Sequence, residues 1–203
     1  MKRCISSFLF TVAMAVPAFS APVAFNISGS LSDEGLTLND AYDGGAGIDT
    51  AYFYGGVGMV FTTGAQGTIR HVEFDFDGTL YFRDIEVVHA GSGDDVFVGS
   101  SQVEQFHGND GDDRFNAGSG VDGGDAWYGG AGTNSAYFTD AGAVIVSLAE
   151  GTMQNRYGGG GEGTLSGFAN VYGGDGFDLL IGNAGANILS GGEGFDALYG
   201  GAG

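Results

Sequence analysis

The 203-residue chain has one cysteine, one lysine and two prolines. Cys4 and Lys2 both fall within the first 20 residues, MKRCISSFLFTVAMAVPAFS. That stretch reads as a secretory signal peptide: Lys2 and Arg3 form its basic start, Ile5 to Val16 its apolar run, and Ala18-Phe19-Ser20 its cleavage site. The run is too short to span a bilayer comfortably. Once the peptide is removed no thiol remains, so disulfides are excluded as the source of stability outside the cell. The expected location is extracellular, with the periplasm as the alternative compartment.

Basic residues are equally scarce. Beyond residue 20 only Arg70, Arg83, Arg114 and Arg156 face 25 acidic residues, and the formal charge falls from −19 to −21. Nucleic acid and anionic membranes both require a basic footprint, so neither is an expected partner. Cations are. Helical periodicity is missing, as are a G-x-S-x-G elbow and an H-E-x-x-H pair. Many of the carboxylates recur at one repeat position, whereas acid–base catalysis needs two in unequal environments. The chain therefore reads as a non-enzyme.

Glycine is abundant, with 42 residues, yet 16 Phe and 9 Tyr argue for a packed fold over disorder. From Ala90 the chain reads AGSGDDVFV, GSSQVEQFH, GNDGDDRFN and AGSGVDGGD, successive blocks of nine with no insertion. From Gly173 it reads GGDGFDLLI, GNAGANILS and GGEGFDALY. The common pattern is G-G-x-G-x-D-x-U-x, where U is a large apolar residue.

On these blocks the chain resembles the RTX, or haemolysin-type, calcium-binding repeat family. The resemblance implies an all-β parallel β-roll, or β-solenoid, with calcium in its turns and apolar residues inside. It also implies a secreted module that folds on meeting external calcium. Nine residues make one turn and one short strand, so residues 18 apart stack on successive coils at about 4.8 Å. Asp95 then faces the same gap as Asp113, and Asp178 the same gap as Asp196, giving two calcium sites. Glu104 with Asp122 is a weaker pair on the opposite edge, because Gln102 replaces the glycine at position four. Asp49, in GGAGIDTAY, keeps the motif without a partner at 18. Gly91, Gly93, Gly108, Gly111, Gly174, Gly176, Gly192 and Gly194 are expected to adopt positive φ, so that successive carbonyls turn toward a cation. Asn134 and Asn187 occupy the aspartate position as degraded or terminal half-sites.

A longer repeat encloses the nonapeptides. Gly44 to Phe53, GGAGIDTAYF, matches Gly129 to Phe138, GGAGTNSAYF, at an offset of 85, while Asp95 and Asp113 match Asp178 and Asp196 at 83. The chain divides into a signal peptide at 1–20, a cap or linker at 21–43, and RTX-type units at 44–128 and 129–203, the second ending partway into a nonapeptide. His71, His89 and His107 are also 18 apart, a spacing that aligns three imidazoles in one column if His71 belongs to the regular array and is a coincidence if it lies outside it.

Each nonapeptide buries one large side chain, worth roughly 1.5–3 kcal/mol, while ordering its backbone costs about 1 kcal/mol or more per residue. Apolar burial alone does not stabilise such an array. Calcium bridging carboxylates would, and the metal-free chain is expected to be largely disordered. Two functional readings follow: a stand-alone structural or adhesion module, or a C-terminally incomplete fragment of a larger secreted RTX enzyme or toxin. Cell-surface, carbohydrate and self-association contacts are left open by the sequence.

Overall fold

Short runs of three to five residues with one large apolar side chain at the centre favour strands over helices, and strands are what form. The structure, a computed structural model, describes residues 24–28, 41–43, 50–54, 59–63, 69–74, 78–83, 87–99, 103–118, 120–121, 123–157 and 161–203, with side chains at 50–52 and from Val87 onward. Residues 1–20, expected to be a signal peptide, most of 21–43, Asp49 and Asp122 lie outside these residues.

The chain begins with β1 (Ala24–Ser28), β2 (Ala41–Asp43), β3 (Thr50–Tyr54), β4 (Met59–Thr63), β5 (Ile69–Phe74), β6 (Gly78–Arg83), β7 (Val87–His89), β8 (Val96–Val98), β9 (Gln105–His107), β10 (Arg114–Asn116) and β11 (Ala126–Tyr128). It continues with β12 (Asn134–Tyr137), β13 (Val144–Ser147), β14 (Thr152–Asn155), β15 (Glu162–Ser166), β16 (Phe168–Gly176), β17 (Leu179–Ile181), β18 (Ile188–Gly194) and β19 (Ala197–Tyr199). The fold is all-β, with no helix among the described residues.

Two sheets of mostly parallel strands result. One has the order β1-β3-β7-β9-β11-β15-β14-β13-β17-β19, the other β18-β16-β12-β10-β8-β4-β5-β6-β2. From β7 to β13 each strand passes to the opposite sheet, so two consecutive strands make one coil. Phe97 pairs with Phe115, Val88 with Phe106, Val171 with Leu189 and Leu180 with Leu198, a coil of 18 residues each time. Phe106 pairs with Trp127 and Phe115 with Ala136, so the next coil has 21. The uninterrupted nonapeptide register expected through residue 125 is therefore corrected: three residues are added in the 117–125 turn.

The antiparallel excursions β4-β5-β6 and β13-β14-β15 interrupt the parallel order. They begin 85 residues apart, at Met59 and Val144, but lie in opposite sheets. The reason is topological. An odd number of crossings separates β3 from its counterpart β12, so every element of the second copy changes sheet.

The alternation of strand side chains directs Phe97, Phe106, Phe115, Trp127 and Leu180 between the sheets, where all are buried. Phe97 stacks on Phe106 at 5.0 Å and on Phe115 at 4.5 Å, and Trp127 stacks on Phe138 at 5.6 Å. Leu198, expected inside, is instead 47 % exposed and Phe195 85 %. Both belong to the coil whose strands β18 and β19 are outermost in their sheets.

Candidate metal centre

The coils bring the repeated carboxylates together at two edges. At the first edge the chain crosses from the ten-stranded to the nine-stranded sheet through turns 90–95, 108–113, 129–134 and 182–187. It returns at the second edge through 99–104, 117–125, 138–143, 173–178 and 191–196. Asp95 and Asp113 share the first edge, Asp178 and Asp196 the second.

One oxygen of Asp113, of Asp178 and of Asp196 ties its coil to the preceding one. Asp113 Oδ1 accepts the Asp95 N–H at 2.8 Å, Asp196 Oδ1 the Asp178 N–H at 2.9 Å, and Asp178 Oδ1 the Val144 N–H at 2.8 Å. A hydrogen bond from a main-chain donor to a carboxylate is of the stronger kind, about 1.5–3 kcal/mol. The other oxygen turns back into its own turn. Asp113 Oδ2 and Asp178 Oδ2 are buried with no hydrogen-bond partner. They occupy the space where a side chain on Gly108 or Gly173 would begin, and a Cβ at either glycine would overlap them.

This alters the role expected of the glycines. Gly111, Gly174, Gly176, Gly192 and Gly194 do adopt positive φ, between 96° and 132°. Gly91, Gly93 and Gly108 do not. At Gly108 the requirement is room for the folded carboxylate, while the Gly93 carbonyl oxygen lies against Gly111 and would meet any Cβ there. Likewise the carbonyls of Gly174 and Gly176 lie against Gly192 and Gly194 of the next coil. Main-chain oxygens thus sit between stacked turns on the same edge as the carboxylates.

The added three residues change the partner of Glu104. Its N–H donates to Asp125 Oδ1 at 3.0 Å, and both acidic side chains are buried. The expected pair with Asp122 is corrected to one with Asp125, and Asp122 itself lies outside the described residues. The local pattern contains a signal for this: Asp125 has Trp127 two positions on, as Asp95 has Phe97 and Asp113 has Phe115, whereas Asp122 has Gly124.

Where asparagine takes the sixth position the turn closes differently. Asn134 Oδ1 accepts the Asp113 N–H at 2.8 Å, while its Nδ2 donates to the Gly167 carbonyl at 2.9 Å and more weakly to Gly130 at 3.5 Å. Asn187 Oδ1 accepts the Asn183 N–H at 2.8 Å, and its Nδ2 donates to the Ala169 carbonyl at 2.9 Å. An amide supplies a donor where the carboxylate leaves a bare oxygen.

The three-imidazole column does not form. His71 lies in β5 of the nine-stranded sheet opposite Thr62, whereas β7 and β9 carry His89 and His107 in the other sheet. Those two rings stack at 3.9 Å, extended by Tyr52 at 4.5 Å and Tyr128 at 4.4 Å. Burial lowers both histidine pKa values, that of His107 to about 4 with a further contribution from His89. The column is a stack of neutral rings at pH 7.

Burial, followed by the charges of Asp94, Asp112 and Asp110, raises the Asp113 pKa to about 6, against the lowering effect of its bond to the Asp95 N–H. Asp178 is also raised, by burial first and then by Asp196 and Asp175, with the Val144 bond and Arg156 opposing. Among the described residues no three His, Cys, Asp or Glu side chains group as a metal site. A cation would need main-chain oxygens as well, a donor set that suits calcium and not zinc or copper. The buried Asp113 and Asp178 oxygens and the adjoining carbonyls fit that requirement. No family model matches this chain, and no curated protein does.

The raised Asp113 pKa fixes a direction with pH. An acid that binds its proton more tightly when folded stabilises the fold relatively below its unfolded pKa, near 3.8, and loses that contribution as pH rises toward about 6. A rise of about two units corresponds to roughly 3 kcal/mol. In calcium-free buffer, denaturant unfolding should therefore show lower stability at pH 7 than at pH 4. Rising stability over that interval would contradict the burial of a strained carboxylate.

Proposed function

We propose that the chain is a secreted calcium-binding β-roll whose folding is coupled to calcium, acting as a structural or adhesion module and not as an enzyme. The observation that carries this reading is the buried second oxygen of Asp113 and of Asp178, which has no hydrogen-bond donor among the described residues. Leaving a carboxylate oxygen buried without a partner is costly, and a bound cation removes that cost. Calcium accepts six to eight oxygen ligands in flexible geometry, so carboxylates and glycine carbonyls from stacked turns suit it.

Asp95 and Asp113, with the main-chain oxygens of turns 90–95 and 108–113, would hold one ion. Asp178 and Asp196, with those of 173–178 and 191–196, would hold another. Glu104 with Asp125 forms a third acidic pair. When bound, calcium supplies positive charge between coils whose carboxylates otherwise repel. The surplus of acidic over basic residues in the whole chain favours the same ion.

Calcium titration followed by calorimetry and circular dichroism tests the proposal. Binding near the roughly millimolar range of extracellular modules, with a gain of β signal, is expected. A β-rich spectrum unchanged by exhaustive chelation, without heat on adding calcium back, would refute it.

A further inference from the structure

The buried polar groups follow a pattern along the chain. Among the described residues, those at and before residue 125 are Asp95, Glu104, Asp113 and Asp125, all acidic. Between 126 and 177 they are Asn134, Ser135, Ser147 and Asn170, all neutral. Asp178 then restores an acidic group. The change coincides with the antiparallel excursion β13-β14-β15, the one stretch of described side chains where adjacent strands are joined by hairpins and not by metal-type turns.

We infer that residues 126–172 form a calcium-independent block, keeping its stability in the absence of metal, between two nonapeptide arrays whose stability depends on bound calcium. The inference rests on the calcium reading and deepens it by assigning different metal requirements to different parts of one chain. Three observations on the block support it.

First, its asparagine turns close through neutral groups, while Val144 N–H is tied to the acidic Asp178 Oδ1. Asn134 joins coil to coil through Asp113 N–H on one side and the Gly167 carbonyl on the other, and Asn170 donates to Ser135 Oγ at 3.1 Å. No buried carboxylate is left needing a cation in this stretch. Second, the backbone of β13-β14-β15 is paired through local antiparallel ladders, with Val144 opposite Asn155 and Thr152 opposite Thr164. Local pairings close short loops and cost less chain entropy than coil-to-coil contacts. Third, the block supplies a large share of an apolar core that continues into the first array, where Phe115 lies 4.8 Å from Phe168 and 5.8 Å from Trp127. Trp127, Phe138, Val144, Val146, Met153, Leu165, Phe168 and Val171 are all buried. Phe97, Phe106 and Phe115 are buried as well, but their coils are bounded on both edges by acidic groups, so removing calcium sets carboxylate repulsion against that burial.

The second array is attached to the block asymmetrically. On its first edge the neutral Asn187 amide holds turn 182–187 to the Ala169 carbonyl, while on its second edge the tie to Val144 N–H is made by the Asp178 carboxylate, which faces Asp196. Opening on chelation should begin at the second edge.

Hydrogen exchange of the full secreted chain, in calcium and in calcium-free buffer, tests the inference. In calcium-free buffer, amides of Val96–Val98, Gln105–His107 and Leu179–Ile181 should lose protection by about a hundredfold, while those of Thr152–Asn155, whose strand pairs only with β13 and β15, stay within about threefold of their calcium-bound values. Uniform loss along the chain would overturn the block and leave the calcium reading standing. No loss anywhere would refute the calcium reading itself. Asn134→Asp supplies a second readout: a carboxylate at that position replaces the donor to Gly167, and the block should become chelator-sensitive. If it keeps its protection without calcium, the assigned role of the asparagine turn is wrong.

Discussion

Gly173→Ala should destabilise the calcium-bound protein by roughly 3–5 kcal/mol, combining overpacking at a closed site with the loss of a buried hydrogen bond. The position does not have positive φ, so backbone strain is not the cause. Its Cα faces the Asp178 carboxylate and lies under the Gly191 carbonyl, where a new Cβ would stand 2.7 Å from the oxygen. Neither neighbour is the free end of a long side chain. The aspartate would have to swing out of its seat, releasing the Val144 N–H that it now accepts at 2.8 Å, and the coil above would lose its tie. For a domain stabilised by about 5–15 kcal/mol in total, this is a large fraction. Gly200→Ala is the control, since nothing lies within 4 Å of its Cβ position and its φ is not positive. It should change stability by less than about 0.5 kcal/mol. Denaturant midpoints measured in calcium compare the two. Equal midpoints for Gly173→Ala and the unchanged protein would show that the carboxylate does not occupy this seat.

Much of this arrangement is legible in the sequence because stacking converts period into proximity. Asp95 and Asp113, or Asp178 and Asp196, are 18 apart, and one coil of two strands brings them together. The central aromatic residues Phe97, Phe106 and Phe115 are legible for the same reason. Asp125 was not, since the blocks were phased on their glycines. Glycines shape the turn, but register is set by the aspartate and by the apolar residue two positions later, which enters the core. Phasing on that pair places Trp127 under Phe106 and absorbs three extra residues in the turn.

The antiparallel excursions had no comparable signal. Met59–Thr63 and Val144–Ser147 have strand composition, but composition does not specify the direction of the neighbour they pair with. This is also why the 18-residue histidine spacing misled: β5 runs back along the same sheet, and His71 never reaches the coil of His89. The exchange of edges between the two copies was hidden for a similar reason. It depends on whether the number of crossings is odd, which no single motif reveals. Its consequence is physical, since the two principal aspartate pairs lie on opposite edges and their like charges are kept apart.

Asp113→Asn should stabilise the metal-free protein and lose that advantage in calcium. Without metal at pH 7, the wild-type carboxylate is held ionised although its folded pKa is raised to about 6, a cost of roughly 3 kcal/mol relative to the unfolded chain. An amide keeps the Oδ1 acceptor for the Asp95 N–H and carries no charge, so the metal-free variant should gain about 2–3 kcal/mol. The Asn134 turn, one coil further on, shows how an amide is accommodated there: its Oδ1 takes the Asp113 N–H and its Nδ2 finds a carbonyl. In calcium the same variant lacks an anionic ligand and forfeits the stabilisation that binding supplies, about 2.7 kcal/mol at a hundredfold excess over Kd, which offsets the metal-free gain. Asp113→Ala separates charge from hydrogen bonding, because it removes the acceptor too and should not share the metal-free gain. Parallel unfolding curves with and without calcium read both effects. If Asp113→Asn weakens the protein equally in the two conditions, the carboxylate is valued for its hydrogen bond alone, and the cation has no place at this turn.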